Sequence, residues 1–119
     1  MRNRFKLGVV GYQRLIISLE KIEKGEVVSA AASKEMIEVL KRQQSVDGMR
    51  RNLSYEVANK TGALDSLRSD VGIVYTPKGR IALAITCDDM PKIDYGPDNP
   101  GALLIAELTK IISDELTRP

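Results

Sequence analysis

Residues 54–75, SYEVANKTGALDSLRSDVGIVY, decide the fold of this chain. The stretch opens with an alternating run from Tyr55 to Asn59 and closes with an apolar run from Gly72 to Tyr75. This pattern predicts two strands joined by a loop, at the distance of a hairpin. Lys60-Thr61-Gly62 stands at the end of the first predicted strand and forms a dense polar cluster beside apolar residues.

The Lys60-Thr61-Gly62 cluster is the first candidate for a binding site. A cationic donor and a hydroxyl on an extended segment can line one edge of a groove and hold a carboxylate. The glycine lets a ligand approach the backbone closely. The residues alone also fit a solvated lysine at a strand end, because surface charges are common and rarely catalytic.

Two helices are predicted upstream of this stretch. Apolar residues at helical spacing begin at Tyr12 and end at Ile22, and Gly25 follows as a typical C-terminal stop. Ser29 can cap a second helix that runs to about Gln44. Residues 45–53 lose the period and contain a glycine, so we interpret them as a loop.

Downstream, the pattern predicts a second hairpin and a last helix. The second strand, from about Val71 to Thr76, meets a third strand from Arg80 to Asp88 through the short turn Pro77-Lys78-Gly79. Large and small side chains alternate along the third strand, as expected where helices pack on both faces of a sheet. Residues 89–98 are rich in Pro, Asp and Gly and predict a loop.

The last helix is predicted to begin at Pro100, with Asn99 as its cap, and to carry a wide apolar stripe. The predicted order is therefore ααβββα. We expect a single α+β domain over residues 1–119, with a three-stranded antiparallel sheet covered by helices.

Composition excludes several kinds of chemistry. Apolar residues make up 43%, charged residues 29%, and the net charge is +2 without a basic block, so neither a nucleic-acid partner nor a base-stacking platform is predicted. Cys87 is the only cysteine and there is no histidine, which excludes an intrachain disulfide and His-based metal or triad chemistry. No metal and no cofactor are predicted. Asp88, Asp89 and Asp94 could suggest a hard-metal cluster, but acidic residues in such a loop usually form a solvated turn.

The N-terminal segment does not predict a membrane anchor. Met1–Lys6 is basic, but the apolar run from Leu7 to Gly11 is too short for a spanning helix or a signal peptide. No membrane partner is predicted, and the chain as written is expected to be cytoplasmic.

The Lys60-Thr61-Gly62 strand, with Arg68, Asp70 and the following strand start, resembles the C-terminal part of the class A β-lactamase and related serine hydrolase family. The resemblance extends roughly from residue 12 to residue 116. It implies that Lys60 and Thr61 bind the carboxylate of a β-lactam or peptidyl substrate. It also implies that Gly62 lies against that substrate and that the Ala63 backbone N–H is one of two oxyanion donors.

The same resemblance implies that the catalytic motifs are missing. The S-x-x-K nucleophile, the S-D-N loop and the general-base glutamate of the family lie upstream of the matching region, so no catalytic residue is assignable here. Ser18-Leu19-Glu20-Lys21 spells S-x-x-K but resembles a peripheral helix, and we interpret the match as chance. Ser69 and Asp70 are expected in the hairpin loop. Arg68 and Asp70 are interpreted as a loop-ordering ion pair or turn caps, with substrate contact by Arg68 as an alternative.

Two functions follow from the resemblance. The chain is either part of a β-lactamase-like hydrolase, inactive alone and completed by a complementary N-terminal half, or a non-enzymatic domain that associates with itself. As part of a longer precursor it would be exported. In the family the third strand is an inner strand, so here it is expected to leave an unpaired edge. We therefore predict a homodimer or higher oligomer, in which residues 81–86 pair or the terminal helices are exchanged.

Overall fold

The computed structural model of this protein describes residues 11–119. The basic segment Met1–Lys6 and the apolar residues 7–10 lie outside the described residues. Residues 11–119 form three helices and three strands in the predicted order ααβββα: α1 Tyr12–Glu23, α2 Ala30–Lys41, β1 Glu56–Leu64, β2 Leu67–Thr76, β3 Gly79–Cys87 and α3 Pro100–Thr117. The predicted fold class is confirmed.

The three strands form one antiparallel sheet in the order β1-β2-β3. Leu64 lies opposite Leu67, so only Asp65 and Ser66 separate β1 from β2. The prediction of a longer loop between these strands is therefore wrong, because residues 67–70 are part of β2. The strands are longer than predicted because the polar side chains of this stretch find partners inside the protein instead of in a solvated loop.

The second hairpin matches its prediction. Thr76 lies opposite Gly79, and the Thr76 hydroxyl accepts from the Lys78 backbone N–H and donates to the Gly79 carbonyl. Pro77 and Lys78 are the two turn residues, as the turn chemistry indicated.

The helices pack on both faces of the sheet. On one face, Leu19 of α1 and Ile37 of α2 pack against Ala58 and Ile73. On the other face, Ile105 of α3 packs in a second buried cluster, whose remaining members are Met49, Val57 and Val74. Burying each large aliphatic side chain stabilises the fold by about 1.5–3 kcal/mol. The alternation of large and small residues on β3 predicted this arrangement.

The helix ends follow local chemistry. The Ser29 hydroxyl accepts from the Ala32 N–H at the start of α2, and Asn99 Oδ1 accepts from the N–H groups of Gly101 and Ala102 at the start of α3. Both predicted caps are confirmed. Helix α2 ends at Lys41, earlier than the predicted end near Gln44, because Gln43 turns inward and bonds to Ser45 and Asn59.

Within residues 11–119 no helix combines the length and apolarity needed to cross a membrane.

Candidate functional site

The predicted site residues lie together on β1, which is an edge strand of the sheet formed by residues 11–119. Lys60, Gly62 and Ala63 are exposed, and Thr61 is half-buried. The Lys60 amine donates to the Thr61 carbonyl and forms no ion pair with any residue between 11 and 119. A Cβ atom added to Gly62 would meet nothing within 4 Å. Open space therefore lies beside this part of β1.

A cavity of about 280 Å³ adjoins these four residues. Its walls come from the loop before β1, from the facing ends of β1 and β2, and from the first turns of α3. Its other lining residues are Ser45, Asp47, Gly48, Arg68, Ser69, Asp70, Tyr95, Gly96, Ala102 and Ile105. This volume is close to that of the smaller ligand pockets in proteins, which begin at about 300 Å³.

Asp70 lies directly opposite Thr61 in the β1–β2 register and is only 1% exposed. Asn59 Nδ2 donates to its Oδ1 at 2.9 Å, and the Met49 backbone N–H donates to its Oδ2 at 2.9 Å. Burial raises the pKa of the Asp70 carboxyl, and the two hydrogen bonds and the charges of Arg50 and Lys60 offset this only in part. Asp70 is thus a buried acceptor within the cavity wall.

Gly48 must be a glycine for Asp70 to occupy this position. A Cβ atom at Gly48 would lie 2.3 Å from Asp70 Oδ2, far inside van der Waals contact. The absence of a side chain brings the loop backbone against the carboxylate, so that the next N–H, that of Met49, can donate to it. The loop wall of the cavity is therefore fixed to β2.

Arg50 continues this network toward β1. Its Nε donates to Asn59 Oδ1 at 2.7 Å, and its Nη2 donates to the carbonyls of Leu40 and Lys41 at the end of α2 and to that of Val57 on β1. A cation placed at a helix C-terminus also interacts favourably with the helix dipole. Arg50 therefore joins α2, the loop and β1 immediately before Lys60.

Arg68 does not pair with Asp70, so the expectation of an ion pair between these two residues is wrong; the alternative of a turn cap fits Arg68, which donates to the carbonyls that flank the β1–β2 turn. Arg68 is 8% exposed, and its guanidinium donates to the carbonyls of Leu64, Leu67 and Asp94. It also lies 4.7 Å from the centre of the Tyr95 ring, a cation–π contact. The two side chains do not pair because both are buried beside other partners: Asp70 accepts from Asn59 and Met49, and Arg68 donates to backbone carbonyls. Arg68 ties the β1–β2 turn to the loop before α3.

Ser18 lies outside the cavity. It is on α1, and its hydroxyl donates to the Arg14 carbonyl of its own helix at 2.8 Å. Ser69 lines the cavity, but on β2, where its hydroxyl bonds to that of Thr86. Its expected place in a hairpin loop is therefore wrong. Among residues 11–119 no group of three or more His, Cys, Asp or Glu side chains is placed to hold a metal ion. The described residues of the cavity thus offer a cationic amine and hydroxyl groups without a paired nucleophile and base.

Sequence reasoning missed the residues that support the site: Gln43, Gly48, Met49, Arg50 and the buried role of Asn59 and Asp70. One signal was available for the last two. Both alternate along their strands with the apolar residues Val57 and Val74, and a polar residue at an inward-facing position needs a buried partner.

Comparison with protein families identifies the group to which the chain belongs. The model of the β-lactamase enzyme family matches residues 13–116, which is most of the chain. This protein therefore belongs to the β-lactamase enzyme family. No curated protein sequence matches it.

Comparison with solved structures gives the same fold. The extended-spectrum β-lactamase TLA-3 superposes with a TM-score of 0.80 at 22% identity, over 92% of this chain and 42% of that one. A β-lactamase from Chitinophaga pinensis gives a TM-score of 0.77 at 23% identity, over 88% and 41%. A class A β-lactamase from Bacteroides cellulosilyticus gives 0.74 at 22% identity, over 88% and 40%. The chain thus spans about 40% of the length of these structures, as expected for a C-terminal portion of the fold.

Proposed function

We propose that β1 of this chain is the substrate-binding strand of a class A β-lactamase-like serine hydrolase that acts on β-lactams or peptidyl amides. The observation that carries the proposal is the placement of Lys60-Thr61-Gly62-Ala63 on an edge strand beside a cavity of about 280 Å³. Membership of the family supports it.

Each of the four residues has a role in the proposal. The Lys60 ammonium and the Thr61 hydroxyl bind the substrate carboxylate, because a cation with an adjacent hydroxyl offers charge-assisted hydrogen bonds to such a group. Gly62 leaves open space for the substrate to lie along the strand. The Ala63 backbone N–H is one oxyanion donor, and hydrolysis needs a second donor from elsewhere.

Hydrolysis also needs an activated nucleophile, which the described residues of the cavity do not supply. We propose that a complementary polypeptide segment brings the S-x-x-K serine and the general base to the open side of β1. By this proposal the chain alone binds the carboxylate weakly and does not turn substrate over.

Carboxylate binding can be tested on the chain by itself. In an NMR titration with millimolar benzylpenicillin, the amide signals of Thr61, Gly62 and Ala63 should shift in a saturable way. The methyl ester of benzylpenicillin, which lacks the carboxylate, should leave them nearly unchanged. A charge-assisted hydrogen bond is worth about 1.5–3 kcal/mol, so Lys60→Ala should weaken binding at least about tenfold.

Lys78→Ala is the matched control for this titration. Lys78 is also an exposed lysine, but it lies in the β2–β3 turn and donates to the Arg118 carbonyl. Its loss should leave the titration unchanged. Equal shifts with acid and ester, or equal losses from both lysine substitutions, would reject the assigned role of Lys60.

A further inference from the structure

Tyr95 is the only aromatic residue among residues 11–119 that lines the cavity. It lies in the loop between β3 and α3. Ligand pockets combine a few polar groups, which fix the orientation of the ligand, with apolar and aromatic walls. Lys60 and Thr61 supply polar groups on β1, so Tyr95 is the candidate for the aromatic wall.

Two contacts hold the Tyr95 ring in place. Its hydroxyl donates to Asp65 Oδ1 at 2.7 Å, in the β1–β2 turn. The Arg68 guanidinium lies over one face of the ring, 4.7 Å from its centre. Tyr95 is nevertheless 61% exposed, so its second face is accessible among the described residues. A ring that is already held loses little side-chain freedom when a ligand packs on this face.

The backbone beside Tyr95 is also fixed. The Asp94 carbonyl accepts from the Arg68 guanidinium and from Asn99 Nδ2 at 2.8 Å. The Asp94 carboxylate accepts from the Gly96 N–H at 2.8 Å, and the buried Asn99 caps α3. The loop around Tyr95 is thus tied to β2 and to α3. Binding to such a pre-formed surface avoids the free-energy cost of ordering a loop.

The strand register places Tyr95 at one end of the site. Ala63 lies opposite Arg68, and Arg68 covers one face of Tyr95, so the ring stands at the Ala63 end of the cavity. Lys60 is three residues away along β1, a distance of roughly 10 Å in an extended chain. A ligand whose carboxylate is held at Lys60 and Thr61 therefore brings its far end beside Tyr95.

We propose that Tyr95 is a specificity-determining residue of the site, whose free face stacks on an aromatic group at the far end of a carboxylate ligand. The inference rests on the proposed function, because it takes Lys60 and Thr61 as the binding site of the carboxylate. Aromatic stacking strengthens binding by about two- to tenfold. The site therefore prefers carboxylates that carry an aromatic ring roughly 10 Å away along β1 to carboxylates of the same class without one.

Two penicillins that differ by one ring test this preference on the chain by itself. Benzylpenicillin carries a phenyl group at the end of its amide side chain, and 6-acetamidopenicillanic acid has a hydrogen in that place. In NMR titrations both should shift the amide signals of Thr61 and Gly62. Benzylpenicillin should bind at least about threefold more tightly, and it alone should shift the ring-proton signals of Tyr95, because stacked rings shield each other's protons.

Three variants show whether the ring of Tyr95 is responsible. Tyr95→Ala should abolish the difference between the two penicillins by weakening the binding of benzylpenicillin at least about threefold. Tyr95→Phe keeps the ring and loses only the bond to Asp65, so it should keep the difference. Tyr12→Ala is the matched control, because Tyr12 is 54% exposed but lies on α1, outside the cavity. It should also keep the difference.

The possible failures can be told apart. Equal affinities of the two penicillins for the unsubstituted chain overturn the role of Tyr95 and leave the carboxylate site standing. A difference that persists in Tyr95→Ala, or that Tyr12→Ala removes equally, also overturns it. Loss of the difference in Tyr95→Phe shows that the hydroxyl and not the ring face recognises the ligand, which overturns the stacking. Absence of any saturable shift with either penicillin overturns the proposed function as well.

Discussion

Asp70 shows how a single buried carboxyl organises the wall of the candidate site. It accepts from Asn59, which precedes Lys60, and from Met49, which follows the cavity-lining Gly48. Each bond connects a different segment to β2. The site's shape therefore depends on a buried carboxyl in the cavity wall as well as on the exposed residues of β1.

The raised pKa of Asp70 makes its contribution to stability depend on pH. Because the folded protein holds the Asp70 proton more tightly than the unfolded chain does, the stabilisation from protonation is complete below the unfolded pKa, about 3.9. It is lost as the pH rises through the higher folded pKa. Asp70→Asn removes this dependence and also leaves one buried N–H without an acceptor, which costs about 1–3 kcal/mol.

We therefore expect the loss of unfolding free energy on Asp70→Asn to be larger at pH 4.5 than at pH 7. Urea unfolding of both proteins at the two values measures this difference. Asp89→Asn, which removes an exposed carboxylate, should cost less than about 0.5 kcal/mol at either pH. A loss that is constant, or larger at pH 7, would contradict the assignment of a raised pKa to Asp70.

At the scale of elements, the predictable parts of the fold are those set by local chemistry. Ser29, Asn99 and the Pro77-Lys78 turn determine their own hydrogen bonds within a few residues, so sequence patterns identify them. The β1–β2 turn was missed because Asp65-Ser66 lacks the glycine of a typical two-residue hairpin. The partners of Asp70 were missed because Met49 lies 21 residues away in sequence, and no local pattern shows such a contact.

Arg50 and Arg51 provide a paired test of how α2 is joined to β1. Arg50 donates to two carbonyls of α2, to Val57 and to Asn59, whereas Arg51 pairs with the exposed Asp98. Arg50→Ala should cost about 2–3 kcal/mol, because charged hydrogen bonds inside the protein are lost. Arg51→Ala should cost less than about 1 kcal/mol, as is usual for surface pairs. Thermal unfolding of the two variants gives the comparison, and equal losses would show that Arg50 is not a structural link.

At the scale of the whole molecule, the two edges of the sheet have different surroundings. Within residues 11–119, the β1 edge is polar and adjoins the cavity, while β3 on the other side of the sheet carries mainly apolar side chains. By the proposal made above, a substrate and a complementary segment would meet at the β1 edge. The sequence predicted that both surfaces exist, since the polar cluster and the alternating strand are local patterns. That these two strands lie on opposite sides of β2 could be known only from the order of the strands in the sheet.

The last prediction concerns catalysis by the whole molecule. Benzylpenicillin should leave no covalent adduct on the isolated chain, because the only S-x-x-K match begins at Ser18, whose hydroxyl bonds to its own helix outside the cavity. Mass spectrometry after incubation tests this.

Co-expression with the N-terminal portion of a class A β-lactamase such as TLA-3 should produce nitrocefin hydrolysis, with the acylated serine on the added polypeptide. Lys60→Ala should reduce that hydrolysis at least about tenfold, since the carboxylate contact is lost, and Lys78→Ala should not. A stoichiometric adduct on Ser18 of the isolated chain would instead show that this chain carries its own nucleophile.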